Sequence, residues 1–198
     1  MTPGKNLKRT LLLLLTLVLA TSATGAAAPT NLKAGVFIPP RPAPEFSLRG
    51  SDGTDLKLKH YRGKVVLLAF GFTHCTEVCP VTLAVLAQAR KRLGAQGNDM
   101  QVVYITVDPE RDNAERMRKY LSSFDVTFVG GSGMADQLAS VRKNYGIVAT
   151  KVASPGGYSV DHSSSVYMID RKGLLRAMMP YGHAAEDYVH DVKQLLKD

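Results

Sequence analysis

The sequence predicts a single α/β domain built on a central mixed sheet flanked by helices. Three observations lead there. Two continuous apolar runs, KVVLLAFGF (64–72) and MQVVYITVD (100–108), read as strands buried on both faces. Each is followed by a stretch with helical periodicity. The chain then closes with a hairpin and a helix rather than with further alternation, which makes the sheet mixed.

The elements follow in order. Residues 29–44, PTNLKAGVFIPPRPAP, carry five prolines and no periodicity. They read as a semi-rigid spacer, with residues 27–43 as linker and the domain at 44–198. EFSLRGSDGTDLKL (45–58) is two short strands about the turn at Gly50–Gly53. KVVLLAFGF is the first central strand. VTLAVLAQARKRLG (81–94) is a helix, with Val81, Leu83, Val85, Leu86 and Leu93 apolar and Gly94 as its stop. MQVVYITVD is the second central strand. ERDNAERMRKYLSSF (110–124) is an amphipathic helix capped by Asp112 or Asn113, with Met117, Tyr120 and Leu121 facing inward. DVTFVG (125–130) is a short strand, and MADQLASVRKNYG (134–146) is a helix ending at glycine. KVASPGGYSVDHSSS (151–165) is a polar segment turning at Pro155-Gly156-Gly157. SVYMID and GLLRAMM form a hairpin around Asp170–Gly173, and AAEDYVHDVKQLLKD is the closing helix.

The chemistry centres on GFTHCTEVCPVT (71–82), which holds both cysteines of the chain, Cys75 and Cys79. A cysteine pair between a buried strand and the next helix is the thioredoxin-like arrangement. The pair is a poor staple, because it closes almost no loop. With Cys75 in the loop and Cys79 in the first helical turn, the two sulfurs share one face. Free N–H groups and the helix dipole favour thiolates there. Pro80 fits a first turn, where its missing N–H costs nothing. Four helical residues rise about 6 Å, near the upper limit for a relaxed disulfide, so a bond between the two would form and break reversibly.

Two soft thiolates suit Cu(I), and an added imidazole makes the set competent for Cu(II). A structural zinc site would need two more protein donors. Five histidines are available. His60 and His190 lie in polar stretches. His183 sits at the start of the last helix. His74 adjoins Cys75, and alternation points it away. His162, in YSVDHSSSVYMID, is either a third ligand or a loop histidine bonded to Asp161. Met178 and Met179 are thioethers in an apolar strand, where core packing is their ordinary role. The Thr-x-x-Cys with upstream proline of peroxiredoxin-type peroxidases is missing, and so is the Cys-x-x-Cys-His of haem attachment.

Four blocks, in order, resemble the SCO/SenC copper proteins of cytochrome c oxidase assembly. GFTHCTEVCP resembles the family's GFTxCPDxCP, and ITVDPERDN (105–113) its SVDPERDT. GSGMADQLASVRKNYGI (131–147) resembles the helix before the family's histidine loop, and VDHSSSVYMIDRKG (160–173) its VDHSxxxYLxDxxG. The resemblance spans roughly Pro44 to the C-terminus. It implies a thioredoxin-like fold and one copper held by Cys75, Cys79 and His162, with Asp108 beside the site or at a partner contact. It also implies delivery of copper to the CuA site of cytochrome c oxidase subunit II, with another copper chaperone as donor, or thiol–disulfide reduction of that client through the Cys75/Cys79 dithiol. One departure stands out: Thr76-Glu77 replaces the usual Pro-Asp, which frees the loop backbone.

The N-terminus reads as a targeting segment over 1–26. Lys5, Lys8 and Arg9 precede the apolar run Leu11–Ala20, and small residues follow. The run is shorter than the roughly twenty residues that span a bilayer, so a cleaved signal is expected ahead of an uncleaved anchor. Either places the domain in an exported compartment, the periplasm, free or tethered to the inner membrane. The net charge is +8, scattered or paired with acids. No basic stripe carries interleaved aromatics, so no nucleic-acid site is expected.

Overall fold

The computed structural model describes residues 31–198. The segment read as signal or anchor lies outside the described residues.

An eight-stranded sheet forms the centre, in the order β1-β10-β9-β4-β5-β6-β2-β3. Its strands are β1 (Gly35–Pro42), β2 (Ser47–Gly50), β3 (Asp55–Lys57), β4 (Val65–Gly71), β5 (Met100–Thr106), β6 (Val129–Ser132), β9 (Val166–Ile169) and β10 (Leu174–Met179). A separate hairpin pairs β7 (Ala149–Ser154) with β8 (Gly157–His162). β4, β5 and β6 run parallel, and the remaining pairs are antiparallel. Every residue of β4 and β5 is buried, as their unbroken apolar runs require.

Among the described residues four α-helices flank the sheet: α1 (Val78–Leu93), α2 (Ala114–Ser122), α3 (Ala135–Tyr145) and α4 (Ala185–Leu195). Their sides follow from the pleat. Tyr104 of β5 faces α2, where its ring meets Tyr120 at 6.3 Å. Gly130, its register partner on β6, lies under the same helix. A Cβ at Gly130 would fall 2.9 Å from Met117 Cβ, so only glycine lets α2 approach this closely. On the opposite face Phe70 packs on Tyr145 of α3 and on Tyr167 of β9. α4 lies against α1. The result is the thioredoxin-like arrangement expected from the sequence: a mixed sheet with helices on both faces and the cysteine loop at the C-terminal end of a central strand.

Three local expectations are corrected. The proline-rich stretch is not a free spacer over its whole length, because Gly35–Pro42 forms edge strand β1 against β10. The register shifts between Val36 and Arg41, across Pro39 and Pro40, which have no N–H to give a ladder. The buried Asp191 carboxylate of α4 holds the strand's start, accepting Lys33 N–H at 2.7 Å and Ala34 N–H at 2.9 Å. Asp125–Phe128 is a turn instead of a strand. The Asp125 carboxylate accepts Thr127 N–H at 2.9 Å and Thr127 O–H at 2.6 Å, and the strand begins at Val129. The polar segment 149–162 is an antiparallel hairpin, with two glycines of positive φ, Gly156 and Gly157, at its turn.

Candidate metal centre

The site lies where β4 ends and α1 begins. After Phe72 the chain tightens, and Cys75 N–H donates to Phe72 O at 3.3 Å. α1 opens with no side-chain cap and no acidic residue in its first turn. Its free N–H groups are therefore available to sulfur, and Cys79 N–H donates to Cys75 Sγ at 3.4 Å. Pro80 occupies the first turn as expected.

The two thiols are unbridged and unlike. Cys75 is half-buried, whereas Cys79 is 3% exposed. The Cys79 thiol, donating to Cys75, pulls the Cys75 pKa down to about 5, with help from backbone N–H groups and against burial. The same bond, reinforced by burial, drives the Cys79 pKa well up. One thiolate and one thiol sharing a proton is the resting state this geometry favours at neutral pH.

Asp112 fixes the loop. Its buried carboxylate accepts Thr73 N–H at 3.0 Å, Thr73 O–H at 2.6 Å and Thr106 O–H at 2.8 Å. The cap of α2 is Asn113, which accepts Arg116 N–H at 2.9 Å. Asp112 instead ties the cysteine loop to the end of β5, a role sequence reading missed. The single available signal was an acid placed just before a capping asparagine.

His162 is brought in by the β7–β8 hairpin. Tyr158 O–H donates to buried Asp108 at 2.7 Å. Arg111 pairs with Asp108, donates to Tyr158 O at 3.0 Å and stacks its guanidinium 3.8 Å above the Tyr158 ring. Lys151 pairs with Glu110. These contacts fasten the hairpin to the 107–113 loop and lay its last residue over α1's first turn. His162 meets the Phe72 ring edge-on at 5.8 Å. Its Nδ1 lies 2.9 Å from Ser163 O, which assigns the ring proton to Nδ1. Nε2 then presents its lone pair, and it stands 3.5 Å from Cys79 Sγ. The alternative bond to Asp161 is not formed; Ser163 O takes that place.

Cys75 and His162 line an open cleft of about 440 Å³ that Glu77 and Asp161 also line, and buried Cys79 lies beneath it against both. Among the described residues no three histidine, cysteine or acidic side chains stand, as placed, where they could hold a metal ion together. Fit to copper therefore rests on donor type and convergence: two sulfurs and one neutral imidazole nitrogen. Of the other histidines only His74 lines this cleft, and its ring nitrogens face away from the thiols. His74 contacts Thr73 and Arg116, His183 pairs with Asp187, His190 pairs with Asp191, and His60 is exposed. Met179 is fully buried in β10 and Met178 packs against the core. Asp108 touches none of the three donors; it acts through the hairpin. Thr76 and Glu77 are both exposed. A larger groove, about 880 Å³, lies at the far end of α1 between Arg90 and Phe124 and contains none of these donors.

Known proteins resemble this chain in sequence and fold. The family model for SCO1/SenC matches residues 39–197. The mouse mitochondrial SCO2 homologue is 34% identical over 154 residues, covering 76% of this chain and 60% of the relative. The chain thus spans about 60% of the length of such curated relatives. Among solved structures, Bradyrhizobium japonicum ScoI with copper bound is 34% identical, with a TM-score of 0.73 over 78% of this chain and 99% of the other. Apo Sco1 from Thermus thermophilus is 32% identical, with a TM-score of 0.75 over 86% of this chain and 100% of the other. The match begins inside the edge strand and carries through the cysteine loop, the hairpin and the closing helix, so the chain belongs to the SCO1/SenC family.

Proposed function

We propose that this protein is a copper metallochaperone that carries one Cu(I) or Cu(II) between Cys75 Sγ, Cys79 Sγ and His162 Nε2 and assists assembly of the CuA centre of cytochrome c oxidase. One observation carries the reading. A free imidazole nitrogen stands 3.5 Å from the buried thiol of a reactive pair, although 83 residues separate them. A dithiol reductase has no use for that nitrogen, whereas copper does. Relatives at this level of similarity are described with copper bound. Subunit II of the oxidase, or another exported copper protein, is the client, and a second copper chaperone is the donor. The domain works in the periplasm, and the membrane is touched only through the N-terminal segment if that segment is retained.

Binding releases a proton from Cys79, because a coordinating thiol must be deprotonated. Cys75 is already poised as thiolate and takes the ion first. The open cleft leaves the bound ion within reach of a client's own ligands, which suits transfer better than storage. Anaerobic titration of the reduced protein, followed by visible spectroscopy, tests the reading. One equivalent of Cu(II) should give a thiolate-to-copper charge-transfer band, and His162→Ala should weaken copper retention at least tenfold while leaving dithiol reactivity intact. Equal retention by that variant would sink the three-ligand assignment.

A second reading, a thiol–disulfide oxidoreductase acting on the cysteines of a copper-site client, is favoured by the asymmetry of the pair. A half-buried, reachable thiolate with a buried resolving thiol is the form such enzymes need. Reduction of a disulfide substrate by wild type without any copper binding would favour it.

A further inference from the structure

Tyr104 lies on β5, beneath the first turn of α1, and is 1% exposed. Its hydroxyl has no hydrogen-bond partner among the described residues. A buried hydroxyl without a partner is destabilising, and phenylalanine would fill the same volume without that cost. The hydroxyl therefore calls for a reason, and Gly71 supplies one. A Cβ placed on Gly71 would run into the Tyr104 hydroxyl and stand 2.8 Å from Cys79 Sγ. The missing side chain leaves a small space that the phenol oxygen and the sulfur share.

The phenol oxygen and the Cys79 sulfur are thus neighbours across the Gly71 space. A sulfur that holds copper is a thiolate, a strong acceptor for a neutral O–H. We propose that Tyr104 is a positioning residue whose hydroxyl donates to Cys79 Sγ when that sulfur holds copper. The inference rests on the copper reading above. Its physical consequence is that the bond is strongest in the loaded protein. It draws charge off the sulfur, favours Cu(I) over Cu(II), and holds the buried ligand in place while Cys75 and His162 exchange with a client.

The test compares Tyr104→Phe with Tyr120→Phe in the full chain. Tyr120 serves as control because its hydroxyl is also buried and unpartnered, while it is not among the groups crowding Gly71. Metal-free Tyr104→Phe should melt at or above the wild-type temperature. Its Cu(I) affinity, read by competition with a chromophoric chelator, should fall about tenfold, the size expected for a bond to a charged acceptor. Its copper-induced rise in Tm should shrink, and its thiolate-to-Cu(II) band should move to longer wavelength. Tyr120→Phe should change none of these. Wild-type affinity and an unmoved band in Tyr104→Phe would overturn the inference, as would equal shifts in Tyr120→Phe. A metal-free Tyr104→Phe that melts well below wild type would also overturn it, by making the hydroxyl structural. Wild type that binds no copper would overturn the chaperone reading and this inference together, an outcome distinct from the others.

Discussion

Cys75 and Cys79 divide their work because one lies at the mouth of the cleft and the other beneath it. Cys75 receives the Cys79 N–H and the Cys79 thiol proton, so its negative charge is already solvated by protein. Alkylation by iodoacetamide should modify Cys75 first, with a rate near its plateau at neutral pH that declines as pH falls through about 5; peptide mapping reads the site. The stability linkage has a definite sign. A depressed Cys75 pKa contributes stability in full above the ordinary thiol value, about 8.5, and loses it as pH falls toward 5. The raised Cys79 pKa acts oppositely, costing stability as pH climbs past the ordinary value. Thr76 and Glu77, where the family usually has Pro-Asp, stand exposed at the rim, and Glu77 makes no cap bond to α1. Their side chains line the cleft, while the Glu77 backbone N–H helps hold the Cys75 sulfur.

The hairpin is the element that completes the centre. It has few apolar residues and is largely exposed along β7, so its hold on the domain comes from polar contacts at Tyr158 and Lys151. Arg111→Ala should be severe. It strips the buried Asp108 carboxylate of its cation and removes the ring stack, with an expected loss of about 3 kcal/mol. Tyr158→Phe removes one charged hydrogen bond and should cost about 1–2 kcal/mol. In both variants amide exchange should accelerate across 149–162 more than in β4 or β5, and copper retention should drop because His162 sits at the hairpin's end. Uniform exchange across the sheet would argue against a separately anchored hairpin.

Across the whole molecule, the sheet is closed at one side by a strand drawn from a proline-rich stretch. β1 lies at that edge, and Asp191 of α4 holds the residues leading into it by two backbone N–H groups. Asp191→Ala should leave both donors without an acceptor and destabilise the domain by about 2–3 kcal/mol, measured by denaturant melts. Limited proteolysis should then cut before Pro42, while the cysteine loop, on the central strands, should keep its copper affinity. A parallel loss of copper would show that β1 and the site are coupled through β10 and β9.

The sequence by itself determined the layered core and the chemistry of the thiol pair. β4 and β5 were legible because strands buried on both faces must be apolar throughout, and α1's first turn was legible from Cys79-Pro80. Edge strand β1 was hidden by its prolines, and the β7–β8 hairpin by polar residues that carry no alternation. Asp112 and Tyr104 read as a cap candidate and as strand filling, and only packing gave them partners or denied them one. From position alone His162 had two readings, and family resemblance favoured one. Tertiary structure set its free nitrogen beside Cys79, because local patterns record burial and helical spacing, whereas a site assembled from a loop and a distant hairpin depends on how those elements are fastened together.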